Sequence, residues 1–598
     1  MTATTLTEMF LNTVKTYGSK TTLMKKVDGQ YQGITYQEFG EKVKNFALGL
    51  ASLGVKKGDR VALLSENRPE WAISDLAILS LGAINVPIYP SLIPKQIEYI
   101  LNDSEAKVII TSKPDQTSKI IEILNNLPVL KYIVTIDPPD TTIEKMLFFE
   151  QLSKKGQDFG RENPDYYDRA AKAVEPDTPA GIIYTSGTTG NPKGVILSHN
   201  NFLSNAKGGV ATINIVPEDT FLSFLPLCHV FERLGGHFVP ILAGATIAYA
   251  ESIDTVAQNL GEVKPTIMTS VPRFFEKMYT RVLDNARSGG LVKQKIFNWA
   301  IQVGKKYVAA QAKGKVGGVL RKKHNLAHKL VFSKLHERVG GNLRFFVSGG
   351  APLPKEIGEF FHHAGIKILE GYGLTETSPI IALSLEDKFK FGTVGPVLEK
   401  GGVEVKIAED GEILARGPNV MKGYYKKQAE TKEVIDEDSW LHTGDVGFLD
   451  EDGFLVITDR KKNILVTSGG KNIAPAPIEN LLLTSPLIDQ VMVIGNKRKF
   501  LSALLVPNFE ALHTYAEEQK ISFKDDKELV NHPKILQFVT NEVERLSAHL
   551  ARYEQLKTFR LIPAPFTIEV GELTPTLKIK RKVVEEKYAD LIDSMYEG

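Results

Sequence analysis

From Val61 to Ile136 the chain alternates short apolar runs with amphipathic stretches, and this alternation restricts the fold more than any other feature. VALLSEN (61–67), NVPIYP (85–90), KVIITS (107–112) and KYIVTI (131–136) read as strands. Glu70 to Ser80 reads as a helix between the first two. Strands that recur with helical covers between them build parallel sheets. A chain of 598 residues is long enough for several subdomains and a large core. After about Asp459 the pattern changes to Gly-rich turns, short strands and a charged helical tail, which sets an expected boundary between 1–459 and 460–598. The expected fold class is α/β: a large N-terminal region of several subdomains with stacked sheets, then a small α+β C-terminal domain.

Charge narrows the function classes. A formal net charge of +2 argues against a dedicated nucleic-acid binder. Cys228 is the only cysteine, so no intrachain disulfide can form and a cytoplasmic address fits. It reads as a small buried hydrophobe. The N-terminal residues lack the basic start and apolar run of a signal peptide. The most apolar stretch, Leu234 to Ala250, is interrupted by Gly235, Gly236, His237 and Pro240, and reads as a buried strand–helix pair rather than a membrane span. The segment from Arg287 to Arg344 carries many Lys and Arg and one acid, Glu337. Two readings of it stand open: a solvated helical face, or attraction to anionic lipids.

The chemistry concentrates in YTSGTTGNPKG (184–194), which follows the apolar run Ala180 to Ile183. The hydroxyls of Thr185, Ser186, Thr188 and Thr189 can bond phosphate oxygens. Gly187 and Gly190 let backbone N–H groups approach an anion, and Lys193 can add a point charge. A Walker A loop is excluded, because Lys193 follows Pro192 and precedes Gly194. A polar surface turn is the alternative for any generic Gly/Ser/Thr loop.

The whole string resembles the signature loop of the adenylate-forming superfamily. The narrower resemblance is to bacterial long-chain fatty acyl-CoA synthetases, carried by PLCHVFER (226–233), SVPRFFEKMY (270–279), VSGGAPLP (347–354), EGYGLTETSP (370–379), DRKKNILVTSGGKNIAPAPIE (459–479) and GELTPTLKIKRK (571–582). That resemblance implies ATP and Mg²⁺, with coenzyme A as co-substrate. It implies Thr188 and Glu376 on the magnesium side and Thr375 at the α-phosphate. Gly350, Ala351, Pro352 and Tyr372 would form the adenine slot, with Gly371 and Gly373 flanking the stacking ring. Asp445 and Arg460 would hold the ribose. His229 would lie near the reacting carboxylate; the alternative is a hydrogen-bonded core histidine. Lys578 would be the catalytic lysine of a mobile C-terminal domain, Lys462 its hinge, and Gly469 and Gly470 the loop that replaces it on the coenzyme A side. Pro477 departs from the charged residue common in relatives. Leu234 to Gly244 and Val271 to Phe275 are candidate acyl walls.

The implied activity is long-chain fatty acid–CoA ligation through acyl-AMP. An acyl-AMP ligase that loads a carrier protein is one alternative, and a catalytically silent lipid-binding scaffold is another. The expected partners are a long-chain fatty acid and coenzyme A, with no nucleic acid, and with peripheral contact at the inner face of the membrane where the basic segment meets lipid. Chain-length preference and oligomeric state are not legible.

Overall fold

The computed structural model describes residues 3–185, 191–568, 570–574 and 578–597. The strands foreseen near the N-terminus form at Arg60–Leu64, Ile84–Ile88, Val108–Thr111 and Tyr132–Thr135, and they run parallel. They are buried along nearly their whole length, as the apolar runs require. The first ends at Leu64, where the apolar run ends, short of the expected segment 61–67; beyond it Asn67 donates to Ser223 Oγ and the Leu225 carbonyl. Proline opens the helices Pro69–Ser80, Pro94–Ser104, Pro114–Ile123 and Pro272–Arg287, where its missing N–H costs nothing.

Two eight-stranded sheets dominate residues up to about 424. One contains the strands just named, flanked by Pro179–Thr185, Lys193–Ser198 and Gly423–Tyr424 on one side and Met146–Phe148 on the other. The second has a parallel centre made of Thr220–Ser223, Ile267–Ser270, Phe345–Ser348 and Ile368–Gly373. A four-stranded antiparallel sheet, Glu404–Ile407, Glu412–Arg416, Leu441–Leu449 and Leu455–Arg460, follows. The remaining chain forms a three-stranded sheet of Ile488–Ile494, Leu501–Pro507 and Leu556–Leu561 with helices. Its two apolar cores draw only on residues from Leu465 onward.

The apolar stretch after Leu234 is buried but reverses the expected order. A π-helix, Arg233–Phe238, runs into the helix Val239–Ala243, and the strand Thr246–Tyr249 comes last. Gly235 and Gly236 allow the wide turn, since a side chain on Gly236 would strike the Glu232 carboxylate. Cys228 is buried, and burial pushes its thiol pKa up, so it is an inert hydrophobe.

Candidate active site

The segments with the site motifs leave the carboxyl ends of parallel strands, where α/β sheets form their crevices. Ser223 leads to His229, Ser270 to Val271 and its helix, and Ser348 to the loop Gly350, Ala351, Pro352. The strand Ile368–Gly373 leads to Thr375 and Glu376, which lie in one short 3₁₀ turn. Gly373 must lack a side chain, because a Cβ there would fall 1.7 Å from the Pro379 carbonyl oxygen.

The phosphate loop joins two antiparallel strands, in which Thr185 pairs with Lys193. Ser186, Gly187, Thr188, Thr189 and Gly190 lie outside the described residues. At the loop's base the Lys193 ammonium stands 4.9 Å from the centre of the Tyr424 ring. The Tyr424 hydroxyl donates to Glu376 Oε1 at 2.9 Å. Tyr424 therefore links the phosphate loop to the acid expected beside the metal. The sequence reading missed it. The only available signal was its position in MKGYYKKQAET, a string that shows no chemistry by itself.

The ribose-side residues come together through strand register. Asp445 faces Arg460 across an antiparallel pair. Asp445 Oδ1 accepts from Arg460 Nε at 3.0 Å, and Oδ2 accepts from the Tyr372 hydroxyl at 2.6 Å. Burial and the neighbouring Asp445 carboxylate raise the Tyr372 pKa well above its ordinary value, so the phenol stays a donor. Gly371 shares this strand. Tyr372 is half-buried against the core, and Gly350, Ala351 and Pro352 form an exposed loop.

His229 caps a short helix, and its Nδ1 accepts the Phe231 backbone N–H at 3.1 Å. Burial and nearby Lys578 lower its pKa to about 4, so the ring is neutral and its proton sits on Nε2. Beneath it Glu232 is fully buried. Glu232 accepts from Ser223 Oγ at 2.6 Å and Thr269 Oγ1 at 2.5 Å. Burial raises its pKa to about 7. The next residue, Arg233, is also buried. It donates to Asp75 at 2.5 and 3.2 Å, and His237 approaches the same carboxylate at 3.2 Å. PLCHVFER contains Glu232 and Arg233, to which the sequence alone assigns no role. Among the described residues no group of three or more His, Cys, Asp or Glu is arranged to hold a metal.

Lys578 reaches this crevice from the C-terminal part. Leu573 and Ile579 form a bridge beside it, and Thr574 and Lys578 exchange hydrogen bonds. Ion pairs anchor both flanks: Glu572 with Lys587 at 2.8 Å, and Arg581 with Glu479 at 2.6 Å. Lys578 keeps contact with water along one side, yet the protein around it and Arg460 lower its pKa to about 8, against the pull of Asp445 and Glu376. Arg273 and Asp489, 3.4 Å apart, add a second contact between the two parts. Lys462 lies exposed in a turn just after Arg460. Gly469 and Gly470 lie in an exposed hairpin turn between Leu465–Val466 and Asn472–Ile473. The structure thus brings Lys578 within electrostatic reach of His229, Glu376, Asp445 and Arg460.

A single carboxylate with one oxygen bonded to Tyr424 fits Mg²⁺, which takes few protein ligands and otherwise uses phosphates and water.

Comparison with known proteins bears on the family and the fold. The AMP-binding enzyme family model matches residues 10–425, and the AMP-binding enzyme C-terminal domain matches 462–598. The long-chain-fatty-acid–CoA ligase FadD15 of Mycobacterium bovis is 38% identical over 95% of this chain and 93% of its own. Long chain acyl-CoA synthetase 6, peroxisomal, of Arabidopsis thaliana is 33% identical over 95% and 82%. The crystal structure of the anthranilate CoA ligase AuaEII with anthranoyl-AMP superposes with a TM-score of 0.75 at 22% identity, covering 99% of this chain and 98% of that one. That similarity concerns the fold. On the family match and the identity to these relatives, the chain belongs to the AMP-binding enzymes.

Proposed function

We propose that this protein is a long-chain fatty acid–CoA ligase that works in two steps, forming acyl-AMP and pyrophosphate and then acyl-CoA and AMP. The observation that supports this most is the approach of Lys578 to Glu376, Asp445, Arg460 and His229. In the first step a carboxylate attacks the α-phosphate, so two anions must meet. The Lys578 ammonium neutralises charge between them. Neutral His229, with its proton on Nε2, donates to the attacking carboxylate and orients it. Tyr372 offers a ring face to adenine, and Asp445 and Arg460 take the ribose hydroxyls. Thr375, in the turn with Glu376, faces the α-phosphate. Glu376 and Thr188 are the residues that would hold Mg²⁺, which would supply charge neutralisation on the phosphates.

In the second step a thiol attacks the acyl carbonyl and AMP leaves. We read residues 460–598 as a mobile domain hinged at Lys462, which withdraws Lys578 and brings in the Gly469–Gly470 turn. The present arrangement suits the first step. The acyl substrate follows from the long-chain acyl groups for which FadD15 and the Arabidopsis synthetase are named. A cytoplasmic address with peripheral membrane contact belongs to the same proposal; among the described residues no helix is long and apolar enough to cross a membrane. The test is fatty-acid-dependent ATP–pyrophosphate exchange, followed by acyl-CoA formation on adding coenzyme A. Exchange without transfer to coenzyme A, but with transfer to a pantetheinyl carrier protein, would replace the ligase reading with the carrier-loading one.

A further inference from the structure

Residues 290–336 contain eleven Lys and Arg and no Asp or Glu. The rest of the chain therefore holds 62 basic and 71 acidic residues, a formal charge of −9. A molecule with a net charge of +2 is thus strongly polarised, with its positive pole in one short segment.

That segment folds as a helical hairpin. Gly290–Ala312 turns back into Gly318–Ala327, which continues as the π-helix His328–Phe332. The Tyr307 and His324 rings stack at 3.8 Å between the two arms. Phe297, Ala300, Val303 and Ala327 seal the inner face against the core. Elsewhere in the protein basic residues commonly pair with carboxylates. Among the described residues none of the eleven cations here has a carboxylate within 4.0 Å, while the nearby Arg273 and Arg344 both do.

The outer face is apolar as well as basic. Val319, Lys322, Lys323, Leu326 and Leu330 lie at i, i+3, i+4, i+7 and i+11, which places them on one side of the second arm. All five are exposed, Val319 at 70% and Leu326 at 49%. The first arm adds Leu291, exposed at 76%. Six of the sixteen exposed large hydrophobic residues found among the described residues fall in this hairpin. The outward face of a surface helix is mostly charged and polar.

We propose that the outer face of this hairpin docks on an anionic lipid bilayer, with Val319, Leu326 and Leu330 entering the headgroup boundary and Lys322 and Lys323 contacting the lipid phosphates. Lysine stems lie along apolar surface while their ammonium groups reach polar headgroups, so the two residue types serve one surface together. The negative remainder of the molecule is repelled by the same bilayer, which orients the hairpin towards it. Aliphatic side chains among the lysines favour lipid over nucleic acid, whose single-stranded binders use exposed aromatic rings. The proposal rests on the fatty-acid reading above for its use: an acid dissolved in a bilayer is reached from the bilayer surface.

The test is co-sedimentation of the full chain with phosphatidylcholine vesicles, with and without phosphatidylglycerol, across a salt series. Binding should require phosphatidylglycerol and weaken with salt. Lys322→Gln with Lys323→Gln should lower affinity about tenfold or more, as should Val319→Ser with Leu326→Ser and Leu330→Ser. Acyl-CoA formation from a detergent-dispersed fatty acid should stay at the parent level in both variants, which also shows that they fold. Absence of binding to anionic vesicles at low salt overturns the docking surface, as does equal binding by parent and variants. So does RNA outcompeting the vesicles, or a parent dimer that both variants lose. If vesicles bind as described while no acyl-CoA forms in any protein, the ligase reading fails and the docking surface stands.

Discussion

Tyr424 donates to Glu376 across 2.9 Å, and its ring carries the Lys193 ammonium on one face. One side chain thereby fixes the carboxylate and the base of the phosphate loop together. Tyr424→Phe keeps the ring and removes the hydrogen bond. It should raise the magnesium requirement and the KM for ATP several-fold, with a smaller fall in kcat. Glu376→Gln should weaken adenylation more and in the same direction. Pyrophosphate exchange across a magnesium titration distinguishes these effects, and unchanged curves would remove both residues from the metal side.

Lys578 and Gly470 should separate the half-reactions. Lys578→Ala removes a preorganised charge and should slow acyl-AMP formation by about a hundredfold or more, while conversion of supplied acyl-AMP to acyl-CoA stays nearly intact. Gly470 has φ +76° and open space around a Cβ, so Gly470→Leu is tolerated sterically here at the cost of some backbone strain. It should spare adenylation and crowd the thiol path. Equal loss of both half-reactions in both folded variants would rule out the alternating mechanism.

Glu232 makes stability depend on pH. Its pKa is about 7 in the folded protein against an ordinary 4.5, because burial favours the neutral acid. Between these values the unfolded chain releases the proton first, so stability falls as pH rises through that window and levels off above it. The loss is on the order of 3 kcal/mol. Glu232→Gln should abolish that part of the dependence. Denaturant midpoints of parent and variant between pH 5 and 8 provide the check, and parallel profiles would contradict it.

Asp75 holds a buried cation. Burial alone would raise its pKa, but Arg233 and His237 outweigh that and hold it down at about 2. Asp75→Ala leaves the Arg233 charge without its partner and should cost about 3–5 kcal/mol. Replacing Asp75 and Arg233 together by Leu and Met should recover much of that loss. A double variant no more stable than Asp75→Ala would show that the guanidinium has another role.

The sequence by itself determined the α/β class, the positions of the early strands and the nucleotide-site strings, because these signals are local. Apolar runs mark strands buried on both faces, as at Val108–Thr111, and motif residues such as Tyr372 and Asp445 are identified from their neighbours in the chain. Partner choice was not legible. Asp75 meets Arg233 158 residues away, and Glu376 meets Tyr424 48 residues away, through sheet order and crossover connections that no local pattern encodes. The order of elements after Leu234 also escaped, since a short apolar run fits a buried helix and a buried strand equally well. Only packing decided it: Glu232, just before the π-helix, is buried beside Ser223 and Thr269, and burial raises its pKa although both hydrogen bonds favour the carboxylate.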